Sequence, residues 1–146
     1  MNDAAVCGYD SGMQIISVGL DATDIPRVRQ TLERYGDRFI QRIFTEQETA
    51  YCLRHRDPAP NFAARFAAKE AAMKALGTGR SQGVLWRDIE VVRHHGPPQL
   101  RFHGVAADRF ANLGATRALL SLTHAESLAL AQVIFVADEP PGRNAS

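Results

Sequence analysis

At 146 residues, with 45% hydrophobic and 23% charged side chains, the chain is long enough for one domain with a real core and short for two. A formal net charge of +1 argues against a broad nucleic-acid-binding surface, which needs concentrated basic charge. No apolar run approaches a membrane span, and the opening MNDAAVCGYD lacks the basic start and apolar centre of a signal peptide, so a cytoplasmic protein without membrane or nucleic-acid partners is expected. Cys7 and Cys52 have no Cys or His neighbours at metal-ligand spacing and make no disulfide framework, so both read as free thiols.

Residues 1–12 read as a flexible extension, 13–137 as one domain and 138–146 as a disordered tail. Gln14 to Leu20, QIISVGL, is rich in β-branched residues and reads as a strand buried on both faces, ending at Asp21. A helix is expected from Asp24 to about Tyr35, with Thr23 or Asp24 as N-cap and Pro26 tolerated in its first turn. Arg27 and Arg34 are seven apart and share a face; Arg38 follows a break at Gly36. Thr45-Glu46-Gln47-Glu48 forms a capping box that opens a short helix through about Arg54.

Asn61 to Gly79, NFAARFAAKEAAMKALGTG, is the stretch the rest serves. It consists of strong helix formers that stop at Gly77-Thr78-Gly79. Phe62, Phe66, Lys69, Met73 and Leu76 share one face of the wheel, and alanines cover the opposite face, a pattern that buries the helix. Arg65, Lys69, Glu70 and Lys74 are therefore costly unless paired or turned to a polar cleft. An internal Glu70–Lys74 pair one turn apart is the plain reading. Arg65 and Lys69 have no acid on the helix, and a polyanionic ligand would supply one.

Val84 to Arg93 and Gln99 to His103 read as strands of a hairpin, Gly104 to Leu113 as a modest helix, and Arg117 to Thr123 with Leu128 to Val136 as a closing strand pair around His124–Ser127. The mixture points to a single α+β domain, with a largely antiparallel sheet packed around the long buried helix.

Asp21 ends a buried strand and Glu70 lies on a buried helix. If the two elements pack together, both acids can share a hard cation such as Mg²⁺, which takes one or two protein carboxylates and completes its shell with water and phosphate oxygens. Arg65, Lys69 and Lys74 would then meet phosphate oxygens, and the Gly77-Thr78-Gly79 turn would bring backbone N–H groups near them, although a plain helix cap explains that turn equally. Asp24 reads first as an N-cap and second as a third acid. His124 alone reads as a solvated turn residue. Arg27, Arg34 and Arg38 read either as a solvated face or as a docking surface for an acidic partner.

Three segments together resemble the holo-acyl-carrier-protein synthase family of 4′-phosphopantetheinyl transferases: VGLDATDIPRV (18–28), RFAAKEAAMKALGTG (65–79) and SLTHAESLALAQVIF (121–135). FTEQE at 44–48 adds to them, and order and spacing agree over about residues 13–137. The resemblance implies transfer of the 4′-phosphopantetheine arm of coenzyme A to a serine of an acyl carrier protein, with release of adenosine 3′,5′-bisphosphate. It implies Mg²⁺ held by Asp21 and Glu70, with Lys74 joining them as a catalytic residue. Coenzyme contacts are implied at Arg65, Lys69, Lys74, Gly77, Thr78, Gly79 and His124. It further implies a homotrimer with sites between subunits, and carrier docking on Arg27, Arg34 and Arg38.

Three positions depart from the family's pattern. Asp24 stands where a Glu is usual, Ser17 where many relatives have Gly, and Gly96-Pro97-Pro98 where Gly-Lys-Pro is usual. The last removes a lysine, for which Arg93 or Arg101 is a substitute. Rival readings are a transferase serving a polyketide or nonribosomal carrier, and a non-catalytic module that binds coenzyme A or a carrier.

Overall fold

In a computed structural model, residues 12–78 and 82–138 are described. Residues 1–11 of the expected extension and 139–146 of the expected tail lie outside them, as do Cys7 and Gly79. The elements run β1 (Met13–Asp24), α1 (Ile25–Tyr35), α2 (Asp37–Ile43), α3 (Glu46–Leu53), α4 (Ala59–Leu76), a 3-10 turn (Trp86–Asp88), β2 (Ile89–Val92), β3 (Gln99–Phe102), α5 (Gly104–Asn112), β4 (Arg117–Ala125) and β5 (Leu128–Asp138). One antiparallel sheet has the order β1-β5-β4, and a second is the β2-β3 hairpin. This is the expected α+β arrangement around one long helix.

The alanine side of α4 packs on β1 and β5. Its closest approach is at Gly19, where an added Cβ would stand 1.8 Å from the carbonyl oxygen of Ala71. Strand and helix backbones touch there, and no larger residue fits. Ser17, two residues earlier on the same face, donates from Oγ to Ala75 O at 2.7 Å. The opposite side of α4 packs aromatically: Phe62 lies 4.8 Å from Phe44, and Phe66 stacks on Trp86 at 5.0 Å between centroids.

Four expectations need correction. β1 is not buried on both faces: Ile15, Val18 and Leu20 are 62%, 59% and 61% exposed, because α4 covers only the face carrying Ser17, Gly19, Asp21 and Thr23. It also runs on to Asp24, since β5 continues to pair with it there. The expected strand from Val84 begins only at Ile89: Asp88 accepts a hydrogen bond from Leu85 N at 3.0 Å and closes a turn instead. α2 is an element the sequence reading did not assign. It is seven residues long, too short for its periodicity to stand out, and buries Ile40 and Ile43.

The capping box forms as expected, Thr45 Oγ1 accepting from Glu48 N at 3.2 Å and Glu48 Oε1 from Thr45 N at 2.9 Å. Cys52 is a free, fully buried thiol whose pKa burial pushes up to about 12.

Candidate functional site

The contact at Gly19 brings the end of β1 beside α4. Asp21, Ala22, Thr23, Asp24, Arg27, Val28, Thr31, Phe39, Phe66 and Glu70 line one cleft of about 490 Å³. Two acids remote in the chain thus reach the same space, with Asp24 as a third carboxylate at the wall. Lys74 Nζ donates to Asp21 Oδ1 at 3.0 Å and to Leu20 O at 2.9 Å, while Thr23 Oγ1 donates to Asp21 Oδ2 at 3.3 Å. Lys74 therefore pairs with Asp21 across the strand–helix contact.

Asp24 occupies the N-cap position of α1, as expected, but its side chain makes no capping bond. Ile25 N donates to Ser127 O at 2.8 Å, so the β4–β5 turn takes part in fixing that helix start. The donor set suits a hard divalent cation: two carboxylates in an open cleft, with room for water and phosphate oxygens. No cluster of three or more metal-ligating side chains occurs among the described residues, so these two acids would leave most of the coordination shell to oxygens from elsewhere.

The other cations of α4 are placed differently. Arg65 and Lys69, four apart, face α3 and β2, whereas Glu70 and Lys74, also four apart, face the end of β1. Lys69 is fully buried: it donates to Glu48 Oε1 at 2.7 Å, to Trp86 O at 3.2 Å, and to Ile89 O. Its three protons are thereby consumed. Burial pushes its pKa down, and Glu48 opposes that shift. Glu48 accepts in addition from Val91 N at 3.0 Å, so the pair knits α3, α4 and β2 together. Lys69 is thus a core ion pair and not a ligand contact. The acid it lacked on its own helix stands in the capping box of another.

Arg65 is buried, with its guanidinium 4.0 Å over the ring of Tyr51. Its Nε has no hydrogen-bond partner among the described residues. It lines a second cleft of about 330 Å³ with Gln47, Ala50, Tyr51, Arg54, Val91, Val92, Arg93 and His94. The two clefts share no lining residue. Of the two suggested lysine substitutes, Arg93 lines this cleft, and Arg101 instead sits opposite Glu90 on the hairpin. Arg54, Tyr51 and His94 were missed by the sequence reading. The only signal was the basic run Arg54-His55-Arg56, which looks like ordinary loop charge.

Gly77 takes a left-handed conformation (φ 72°), and Thr78 is buried, its Oγ1 without a partner among the described residues. His124 is exposed at the end of β4; it pairs with Ala129, which pairs on its other side with Thr23. It therefore lies at the same end of the sheet as the acids but does not line their cleft. Arg27 and Arg34 are exposed on α1, and Arg38 is exposed on α2. Arg27 also lines the acidic cleft, which joins that basic surface to it.

Residues 17–133 match the 4′-phosphopantetheinyl transferase superfamily. A holo-[acyl-carrier-protein] synthase of Koribacter versatilis is 50% identical over 122 residues, covering 83% of this chain and 98% of the relative. The crystal structure of the Neisseria meningitidis holo-[acyl-carrier-protein] synthase superposes with a TM-score of 0.74 at 31% identity, covering 84% and 98% of the two chains. A synthase from Bacillus anthracis, solved in complex with coenzyme A (3′,5′-ADP), gives 0.69 at 31% identity over 85% and 98%. With that match spanning the three carboxylates of the cleft, the lysine bonded to Asp21 and the whole of α4, the chain belongs to the 4′-phosphopantetheinyl transferase superfamily.

Proposed function

We propose that this protein is a holo-[acyl-carrier-protein] synthase, moving the 4′-phosphopantetheine arm of coenzyme A onto a serine of an apo-acyl carrier protein. The observation that carries the reading is the convergence of Asp21 and Glu70 on one cleft, with Lys74 bonded to Asp21. Asp21 and Glu70 would hold Mg²⁺, which when bound neutralises charge on a pyrophosphate.

The carrier serine hydroxyl attacks the pantetheine-side phosphorus. A new P–O bond forms to serine, the bond to the bridging oxygen breaks, and adenosine 3′,5′-bisphosphate leaves. Lys74 fixes the carboxylate of Asp21 and offers positive charge to the phosphates at the mouth of the site. Asp24, exposed and without a capping bond, is placed to accept the serine proton through a water; Glu70 is the second candidate for that proton. Positioning and fixed charge do most of the work in such a transfer. The end of α4 at Gly77 and Thr78, whose N–H groups are bonded back to Lys74 O and Met73 O, is a coenzyme contact in this reading, and the exposed Arg27, Arg34 and Arg38 receive an acidic carrier.

The assembly we propose is a homotrimer with sites shared between subunits. Two features support it. The metal-binding acids and the Arg65 cleft lie apart within one chain, so a neighbour's Arg65, Arg54 and Arg93 can serve the phosphate end of a coenzyme held at Asp21. His124, at the open end of β4, is a further coenzyme contact in this arrangement. The outer face of the β1-β5-β4 sheet is also apolar and open.

The test is incubation with coenzyme A, Mg²⁺ and an apo-acyl carrier protein, with mass spectrometry of the carrier. The expected result is a gain of one phosphopantetheine on its serine. Glu70→Gln should lower turnover by roughly a hundredfold or more while leaving the circular dichroism spectrum unchanged. Near-normal turnover of that variant at saturating Mg²⁺ overturns the assignment of Glu70.

A further inference from the structure

A carboxylate that binds a cation must present an oxygen in the right direction, and an aspartate fixes that direction weakly, because rotation about its last side-chain bond is soft. The orientation of Asp21 is therefore set by what holds its two oxygens. Lys74 Nζ donates to Oδ1 at 3.0 Å, and Thr23 Oγ1 donates to Oδ2 at 3.3 Å. An ionised carboxylate only accepts, so the hydroxyl is the donor, and each oxygen keeps a lone pair for a further ligand.

The two donors differ in kind. The side chain of Lys74 is 55% exposed, and an ion pair at such a site is loosely held and screened by salt. Lys74 also has a second task in the reading above, offering its charge to phosphate. Thr23 is buried on the face of β1 that α4 covers, two residues along from Asp21 and therefore on the same side. Its β-branched side chain is stiff, and its backbone is still paired with Ala129 of β5. Thr23, Asp21 and Glu70 line one cleft. Asp21 is thus held by one fixed donor and one mobile one.

We infer that Thr23 is a positioning residue for the divalent cation: its hydroxyl holds Oδ2 and fixes the plane of the Asp21 carboxylate, so that the ion meets a ligand already oriented. The inference rests on the transferase reading above. Thr23 acts through Asp21, and its loss weakens metal binding while every carboxylate of the cleft stays in place.

The test uses Mn²⁺ as the probe, its binding followed by electron paramagnetic resonance with coenzyme A present and carrier absent. Thr23→Val keeps the branched shape and loses the donor; Thr23→Ser keeps the donor and loses a methyl group. Thr23→Val should raise Kd for Mn²⁺ about tenfold, and the Mg²⁺ concentration giving half-maximal transfer by a similar factor, with Thr23→Ser within about threefold of wild type. A role in packing alone predicts the reverse order, with Thr23→Val the milder change, and that order overturns the inference. Wild-type Mn²⁺ affinity in Thr23→Val overturns it too. Should Thr23→Val not fold, Thr23→Ala beside Thr23→Ser decides: weakened Mn²⁺ binding in the first alone supports the role, and equal binding in both overturns it. A wild-type chain that transfers nothing removes the functional reading and this inference together. A wild type that transfers without any divalent ion, or that transfers beside an indistinguishable Thr23→Val, removes this inference and leaves the transferase reading standing.

Discussion

At the scale of single residues, the chain handles its buried charges in opposite ways. Lys69 and Glu48 are removed from water altogether and satisfy each other, so cutting either one should cost about 3–5 kcal/mol through the charge left behind. Glu90 is buried too, but is served by neutral and half-exposed donors: Thr45 Oγ1 donates to Oε2 at 2.7 Å, and His103 Nε2 lies 3.1 Å from Oε1. Burial pushes its pKa up, but the bonds from Thr45 and His103, with Arg101 nearby, outweigh that and hold it below the usual glutamate value. The unfolded chain therefore binds the proton first as pH falls. The stability Glu90 contributes is present above its unfolded pKa and lost as pH drops through the folded one. In urea titrations, wild type should lose more stability than Glu90→Gln between about pH 5 and pH 3. Parallel losses would remove Glu90 from the acid response.

At the scale of elements, the site depends on one backbone contact. Gly19 lets β1 lie against Ala71, and two residues further on Asp21 reaches Lys74. Gly19→Ala places a methyl group where the carbonyl oxygen of Ala71 already is, so strand and helix must separate. The expected cost is about 1–3 kcal/mol or more, read as a lower denaturation midpoint, with transferase activity falling further than stability explains. Retained activity in a destabilised Gly19→Ala protein would show that the acids tolerate a wider gap. Ser17 reinforces the same seam through its bond to Ala75 O.

At the scale of the whole molecule, the open sheet face and the basic surface make separate predictions. Leu20 is 61% exposed on that face, so Leu20→Lys should shift the proposed trimer toward monomers in light scattering and depress activity with it, if the sites are shared. A fully active monomer would rule out sharing. Charge reversal at Arg27 or Arg34 should raise KM for carrier protein and barely alter coenzyme A affinity. Equal losses for both substrates would rule out the docking role. Among the described residues no helix is long and apolar enough to cross a membrane.

The helix end at Gly77, the capping box at Thr45, the α+β class and the pair Asp21 and Glu70 were legible in the sequence. The first two are written in local chemistry, a left-handed glycine and a hydroxyl three residues before a glutamate, whereas Asp21 and Glu70 were joined by the resemblance of the segments 18–28 and 65–79. What only the tertiary structure decided is which charges face each other. The sequence alone could not separate Lys69, neutralised in the core by Glu48, from Lys74, aimed at Asp21. Nor could it show Arg65 gathering Arg54, Arg93 and His94 into a second cleft, or the N-cap residue Asp24 making no side-chain capping bond. Pairings between distant segments depend on how the strands and helices stack. A helical wheel gives the side a residue faces, not the element that will be waiting there.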